Sequence, residues 1–197
     1  MTGNLATTGT GLDRMLRTLF WGGAAALWLA PLAAQQFVDG MDWSVLDFVI
    51  WGVMLLIAAG VCELALRATG DLAYRAGVVV AVGAGFLLVW VNLAVGIIGG
   101  EDDPANLMFF GILAAGVIGG LAADFRARGM ARALLAMAVL QGLAGAAALA
   151  AGWGAGSENW PQVIYVMTGF FGGLWLLSAW LFRKAARHPA AVKGADR

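Results

Sequence analysis

Six stretches of the chain are long, nearly unbroken apolar runs, at about residues 18–35, 45–65, 77–99, 105–123, 131–152 and 162–182. Each approaches or exceeds the ~20 residues that a helix needs to cross ~30 Å of hydrocarbon. None alternates with the period of two that marks a half-buried strand, and all far outrun an ordinary strand of ~5–6 residues. In lipid no water pairs with exposed backbone groups, so runs of this kind are expected to be helices. The connections are short, which makes successive helices antiparallel neighbours. The expected fold is all-α, a polytopic transmembrane helical bundle of six spans in three hairpins. It occupies residues 18–182, with an N-terminal segment 1–17 and a basic tail 183–197.

Helix punctuation supports these limits. Pro104 follows Asp102-Asp103 and Pro161 follows Asn159-Trp160. Proline suits a first helical turn, where its missing N–H is not needed, and a preceding Asp or Asn can cap it. Pro31 is expected to kink or end the first span near its outer third, and Pro189 limits extension of the last. The first span is expected to remain as an anchor. Its apolar run exceeds the ~7–15 residues of a signal-peptide core, and Leu32 would be a poor cleavage determinant before Ala34.

The polar residues between the runs are sorted by sign. Arg14 and Arg17 precede the first run, Arg67 and Arg75 follow the second, and Arg126, Arg128 and Arg132 lie between the fourth and fifth. Arg183, Lys184, Arg187, Lys193 and Arg197 follow the sixth. The alternate loops hold no Lys or Arg, only Asp39, Asp42, Asp47, Glu101, Asp102, Asp103 and Glu158. The positive-inside rule then places both termini in the cytoplasm. The formal net charge of zero therefore hides a molecule polarised across the bilayer. Composition agrees: 61% of the 197 residues are hydrophobic and 12% charged, about half the charge that covers a soluble domain.

That composition excludes disorder, and the lack of a basic surplus argues against nucleic acid. One cysteine, Cys62, forbids an internal disulfide, and one histidine, His188, forbids bis-histidine haem or a His-rich metal site. No nucleophile motif, HExxH or pair of midplane acids is present, and both lysines lie near the C-terminus, so no enzyme activity and no cofactor are expected.

Arg17, Arg75 and Arg132 open hairpins and Arg67, Arg126 and Arg183 close them at nearly even spacing. Alternating loop charge produces such a period by itself, whereas an internal repeat would add pseudo-threefold symmetry. Small residues four apart recur as Gly96/Gly100, Gly116/Gly120 and Gly169/Gly173. On a helix such pairs form a flat face where backbones approach closely, so these six glycines are expected to pack helices, within the bundle or against another membrane protein.

Polar residues inside apolar runs are the candidates for function. Glu63, Asn92 and Gln141 form the candidate intramembrane polar site. Glu63 precedes Arg67 by one turn, which favours an ion pair near the cytoplasmic interface. Each amide is expected to hydrogen-bond a neighbouring helix. Trp21 and Trp180, with Trp43, Trp153 and Trp160, suit interfacial belts. Trp28, Trp51, Trp90 and Trp175 lie deeper, where each indole N–H needs a partner or lines a pocket. The turn Glu101-Asp102-Asp103, with Asn106 and Asp42, has oxygens that could face a divalent cation, but it lacks EF-hand spacing; a solvated acidic turn that caps a helix is the expected reading, and no metal site is expected.

Val91-Asn92-Leu-Ala-Val-Gly-Ile-Ile-Gly-Gly-Glu101 through Asn106 resembles a segment of small polytopic bacterial inner-membrane proteins. The resemblance covers about sixteen residues and implies a bacterial inner membrane without implying an activity. The expected function is that of a non-catalytic accessory or structural protein packing with other membrane proteins or with itself; the alternatives are a small-solute or cation transporter or channel, and a binder of lipid or a hydrophobic cofactor.

Overall fold

The computed structural model describes residues 5–37 and 42–187, and the side chains of these except residues 5–10, 12 and 13. Asp39, His188, Pro189, Lys193 and Arg197 lie outside the described residues. The described chain is helical, without strands: α1 (Leu5–Ala34), α2 (Val45–Ala68), α3 (Leu72–Ala94), α4 (Leu107–Ala122), α5 (Ala127–Ala151) and α6 (Gln162–Arg187), with a 3-10 turn at Pro104–Asn106. Five segments are long and apolar enough to cross a membrane: α2, α3, Pro104–Ala122, α5 and α6. They point to a multi-pass integral membrane protein. The first helix is not among the five: it ends at Ala34, so any span-length stretch of it includes Arg17. It begins at Leu5, well before residue 18, and ends one turn beyond Pro31.

Contacts divide the chain into two compact units, Met1–Gly70 and Asp71–Arg197. In the first, α1 and α2 are fastened by two indoles. Trp51 Nε1 donates to Leu27 O at 2.9 Å and Trp28 Nε1 to Phe48 O at 3.3 Å. Two of the deep tryptophans are thus spent on interhelical hydrogen bonds, the partners their N–H groups require. Gly52 admits the Trp28 ring, because a Cβ there would lie 2.8 Å from Trp28 Nε1. Ser44 and Asp47 close a capping box on α2: Ser44 N donates to Asp47 Oδ2 and Asp47 N to Ser44 Oγ. The Ser-x-x-Asp spacing carries that signal in the sequence.

In the second unit α6 is central, packed against α5 and α3, while α4 packs on α5. Phe171, Trp175, Ser178, Ala179 and Phe182 form its fully buried face. Glycines set the close approaches. A Cβ on Gly119 would meet Ala133 at 2.8 Å, one on Gly77 the Phe182 ring at 3.0 Å, and one on Gly116 the Met137 sulfur. Gly116 and Gly120 therefore line the α4–α5 contact, where Gly120 faces Met130. Ser178 Oγ donates to Gly77 O at 2.8 Å, tying α6 to α3. Tyr74 stacks edge-on against Phe182 and donates its hydroxyl proton to Phe125 O at 2.7 Å. That bond holds the α4–α5 turn, where Asp124 and Phe125 adopt positive φ.

Three equal hairpins are not what forms. The α3–α4 contact is slight, because α3 is drawn onto α6 and α4 onto α5. The even spacing of arginines thus reflects alternating loop charge and does not mark a repeated packing unit.

The glycines divide by environment, and substitution tests that division. Gly119→Leu is expected to lower stability by about 1–3 kcal/mol through overpacking. Gly169→Leu, where a Cβ meets nothing within 4 Å, is expected to leave the monomer's stability unchanged. Unfolding of the detergent-solubilised protein followed by circular dichroism checks both.

Candidate functional site

The best-organised polar cluster lies in the loop from Val95 to Asn106. Ile97 and Ile98 turn inward and are nearly inaccessible, 2% and 1% exposed, although they belong to no helix. Their buried N–H groups need acceptors. Asn106 supplies them. Its Oδ1 accepts from Ile97 N and Ile98 N, both at 3.0 Å, and its Nδ2 donates to Ile98 O at 3.1 Å and Gly100 O at 2.6 Å. Gly96 and Gly99 have φ of +69° and +71°, the region that favours glycine. A Cβ on Gly96 would run into the Gly100 carbonyl. Gly154, in the α5–α6 loop, packs so closely that a Cβ there would lie 2.7 Å from Gly99 N.

One sequence expectation is corrected here. The third apolar run was expected to stay helical to residue 99, with Gly96/Gly100 as a packing face. Instead α3 ends at Ala94, and those glycines shape a folded loop with no helical face to present. Asn106 is also no cation ligand, because its oxygen is occupied by two backbone donors. Asp103 caps the 3-10 turn through Ala105 N, as its position before Pro104 implied. Among the described residues Glu101, Asp102 and Asp103 do not assemble into a metal-binding group.

Glu63 lies in the first unit and is 8% exposed. Its Oε1 faces Arg67 Nε at 2.7 Å and Arg17 Nε at 3.2 Å. The i,i+4 pair is the expected one. Arg17, from α1, is the partner that sequence reasoning missed, although it and Arg67 open and close the same hairpin and so meet at one end. Both arginines are well exposed, so solvent screens the pairs and each contributes little.

The second unit buries Asn92 and Gln141, and no hydrogen bond joins them. Asn92 Nδ2 donates back to Leu88 O of its own helix at 2.7 Å, not to a neighbouring helix. Gln141 is fully buried, and neither end of its amide bonds a protein group. Thr168 Oγ1 and Trp175 Nε1 are likewise without a protein partner. Thr168 lies against Gly145, one turn along α5 from Gln141. Of the expected trio, Glu63 is on α2 of the first unit, and Asn92 and Gln141 are on α3 and α5 of the second. Gly169 and Gly173 lie on the exposed side of α6, and a Cβ on either would meet nothing.

Comparison with protein-family models, curated proteins and solved structures finds no match.

Asn106 and Gln141 should respond oppositely to loss of their amides. Asn106→Ala removes four hydrogen bonds and strands two buried N–H groups, and is expected to cost about 2–4 kcal/mol. Gln141→Met removes an amide that no protein group partners, and is expected to leave stability equal or higher. Equilibrium unfolding in mixed micelles measures both, and a large loss for Gln141→Met would show that its amide is satisfied in the folded protein.

Proposed function

We propose that the chain is a small, non-catalytic membrane protein that packs as an accessory component against other membrane proteins. The observation that carries this reading is the contrast between the two sides of α6. One side is filled by Phe171, Trp175 and Phe182; the other exposes Gly169 and Gly173 between Tyr165, Phe170 and Leu176. Exposed glycines four apart leave a groove that a partner helix can enter closely, which lipid chains gain nothing by filling. The proposal includes six spans, α1 among them, with both termini in the cytoplasm of a bacterial inner membrane. The one-sided distribution of Lys and Arg supports that orientation, and the resemblance of residues 91–106 supports the compartment.

The transport reading draws on the buried, unpartnered Gln141 and Thr168. Against it, Glu63 is neutralised by arginines at a helix end. The binder reading needs free tryptophans, but Trp28 and Trp51 are committed to helix–helix bonds and Trp175 fills the α6 core.

A photo-crosslinking residue at position 169 distinguishes these readings in native membranes. Discrete protein adducts are expected, lost in a Gly173→Leu background, with none from a lipid-facing control at Val139. Adducts to a second copy alone would make the protein a self-associating one, and adducts to lipid alone would overturn the accessory reading. Reporter fusions after residues 40, 102 and 157 are expected to lie outside the cytoplasm; one inside would overturn the orientation.

A further inference from the structure

The last two turns of α6 differ from the rest of the helix. Phe182 and Ala185 continue its buried face, while Trp180, Arg183, Lys184 and Arg187 turn outward. These four line a shallow pocket of about 330 Å³ on the helix surface. Their spacing of three and four residues stacks them on one face. Lys184 Nζ lies 5.7 Å from the centre of the Trp180 ring, a cation–π arrangement that holds the ammonium at the indole. Among the described residues no carboxylate lies within salt-bridge range of these three cations. Three like charges lining one pocket, with no carboxylate in range among the described residues, favour an anion.

The pocket's apolar side identifies that anion. One turn before Trp180 the same side of α6 exposes Leu176 and Leu177, 51% and 44% accessible. An apolar track thus runs along the span and ends at an indole followed by cations. That is the order of an acyl chain, the headgroup boundary and a phosphate. We infer that Trp180, Arg183, Lys184 and Arg187 form a binding site for the phosphate headgroup of an anionic phospholipid. The site fixes the basic end of α6 at the membrane surface. Arginine engages phosphate oxygens in a planar fork and lysine supplies a point charge, so the set suits a phosphodiester. Arg126, Arg128 and Arg132 stand at the same end of the unit, since α5 begins where α6 ends. They do not line the pocket, and Arg126 faces Asp124 at 4.0 Å.

This inference rests on the reading of the chain as a membrane protein but not on the existence of a protein partner. The test uses the full chain, delipidated in neutral detergent, with native mass spectrometry and thermal unfolding as readouts. The probes are dioleoyl phosphatidylglycerol, dioleoyl phosphatidylcholine and inorganic phosphate. Phosphatidylglycerol is expected to bind at least tenfold more tightly than phosphatidylcholine and to raise the unfolding temperature by several degrees. Inorganic phosphate at the same concentration is expected to do neither. The variant Arg183→Gln/Lys184→Gln/Arg187→Gln should lose most of that preference, roughly tenfold to a hundredfold in affinity, since each basic side chain near the surface adds a separate increment. Arg183→Lys/Arg187→Lys should retain part of it, and Arg126→Gln/Arg128→Gln should retain nearly all. Unfolding in phosphatidylcholine alone shows whether the triple variant is folded, as its exposed positions predict. Equal binding of the two lipids to the natural chain overturns the inference, as does an unchanged preference in the triple variant. An equal response to inorganic phosphate makes the pocket a free-anion site and overturns the lipid assignment. Failure of the natural chain to incorporate into phosphatidylcholine bilayers would instead count against the membrane reading itself.

Discussion

Every buried backbone N–H and C=O must find a partner, and in this chain that requirement decides where helix stops and what replaces it. Helices satisfy it for the apolar runs without help from side chains. The exception is the loop after α3, where Ile97 and Ile98 are buried outside any helix. One amide side chain does there what a helical turn does elsewhere, accepting two N–H bonds and donating to two carbonyls. Asn106 is itself placed by Asp103 and Pro104, which start the 3-10 turn that leads into α4. The start of one span and the end of the preceding one are thus fixed by the same side chain. The α5–α6 loop, through Gly154 against Gly99, rests on that knot.

The opposite end of the second unit is held by different means. Tyr74, Gly77, Phe125, Ser178 and Phe182 interlock α3, the α4–α5 turn and α6 through two hydrogen bonds and one ring contact. With α6 anchored to α3 at this end and to α5 along its length, α3 and α4 are left on separate flanks. A short chain connection is therefore a weaker guide to packing than side-chain fit. The α3 and α4 helices are neighbours in sequence, but Gly77 offers the Phe182 ring a seat that no residue of α4 fills.

The helices were legible because lipid-compatible runs are constrained in length and composition together. Five of the six expected runs meet both conditions, within a few residues at most ends. The Glu63–Arg67 pair was legible because i,i+4 neighbours share a face whatever surrounds them. What depends on chain reversal was not. In sequence Gly96 and Gly100 have the same spacing as Gly116 and Gly120, yet only the second pair lies on a helix against another. The difference comes from Asn106, six positions beyond Gly100, whose amide captures the backbone and ends α3 early. A small-xxx-small pair has meaning only if the helix continues through it. Asn92 illustrates a related limit: its amide could reach a neighbouring helix or the carbonyl one turn back, and composition does not choose between them.

The same reasoning separates the two kinds of surface on α6. A buried polar group inside a bundle is satisfied or tolerated according to its neighbours, so Gln141 alone does not define a path for a solute. Exposed features are different, because nothing else in the second unit's described residues covers them. Gly169 and Gly173 present a groove with no charge, which discriminates by shape and rewards a rigid helix. Trp180, Arg183, Lys184 and Arg187 present charge without a groove deep enough to enclose a partner, which discriminates by phosphate. The first depends on close contact and falls steeply with added bulk. The second depends on summed charge and falls with each cation removed and with salt. Because the two respond to different changes in sequence and solvent, the proposed packing face and the proposed headgroup site on α6 can be tested separately, and neither proposal requires the other.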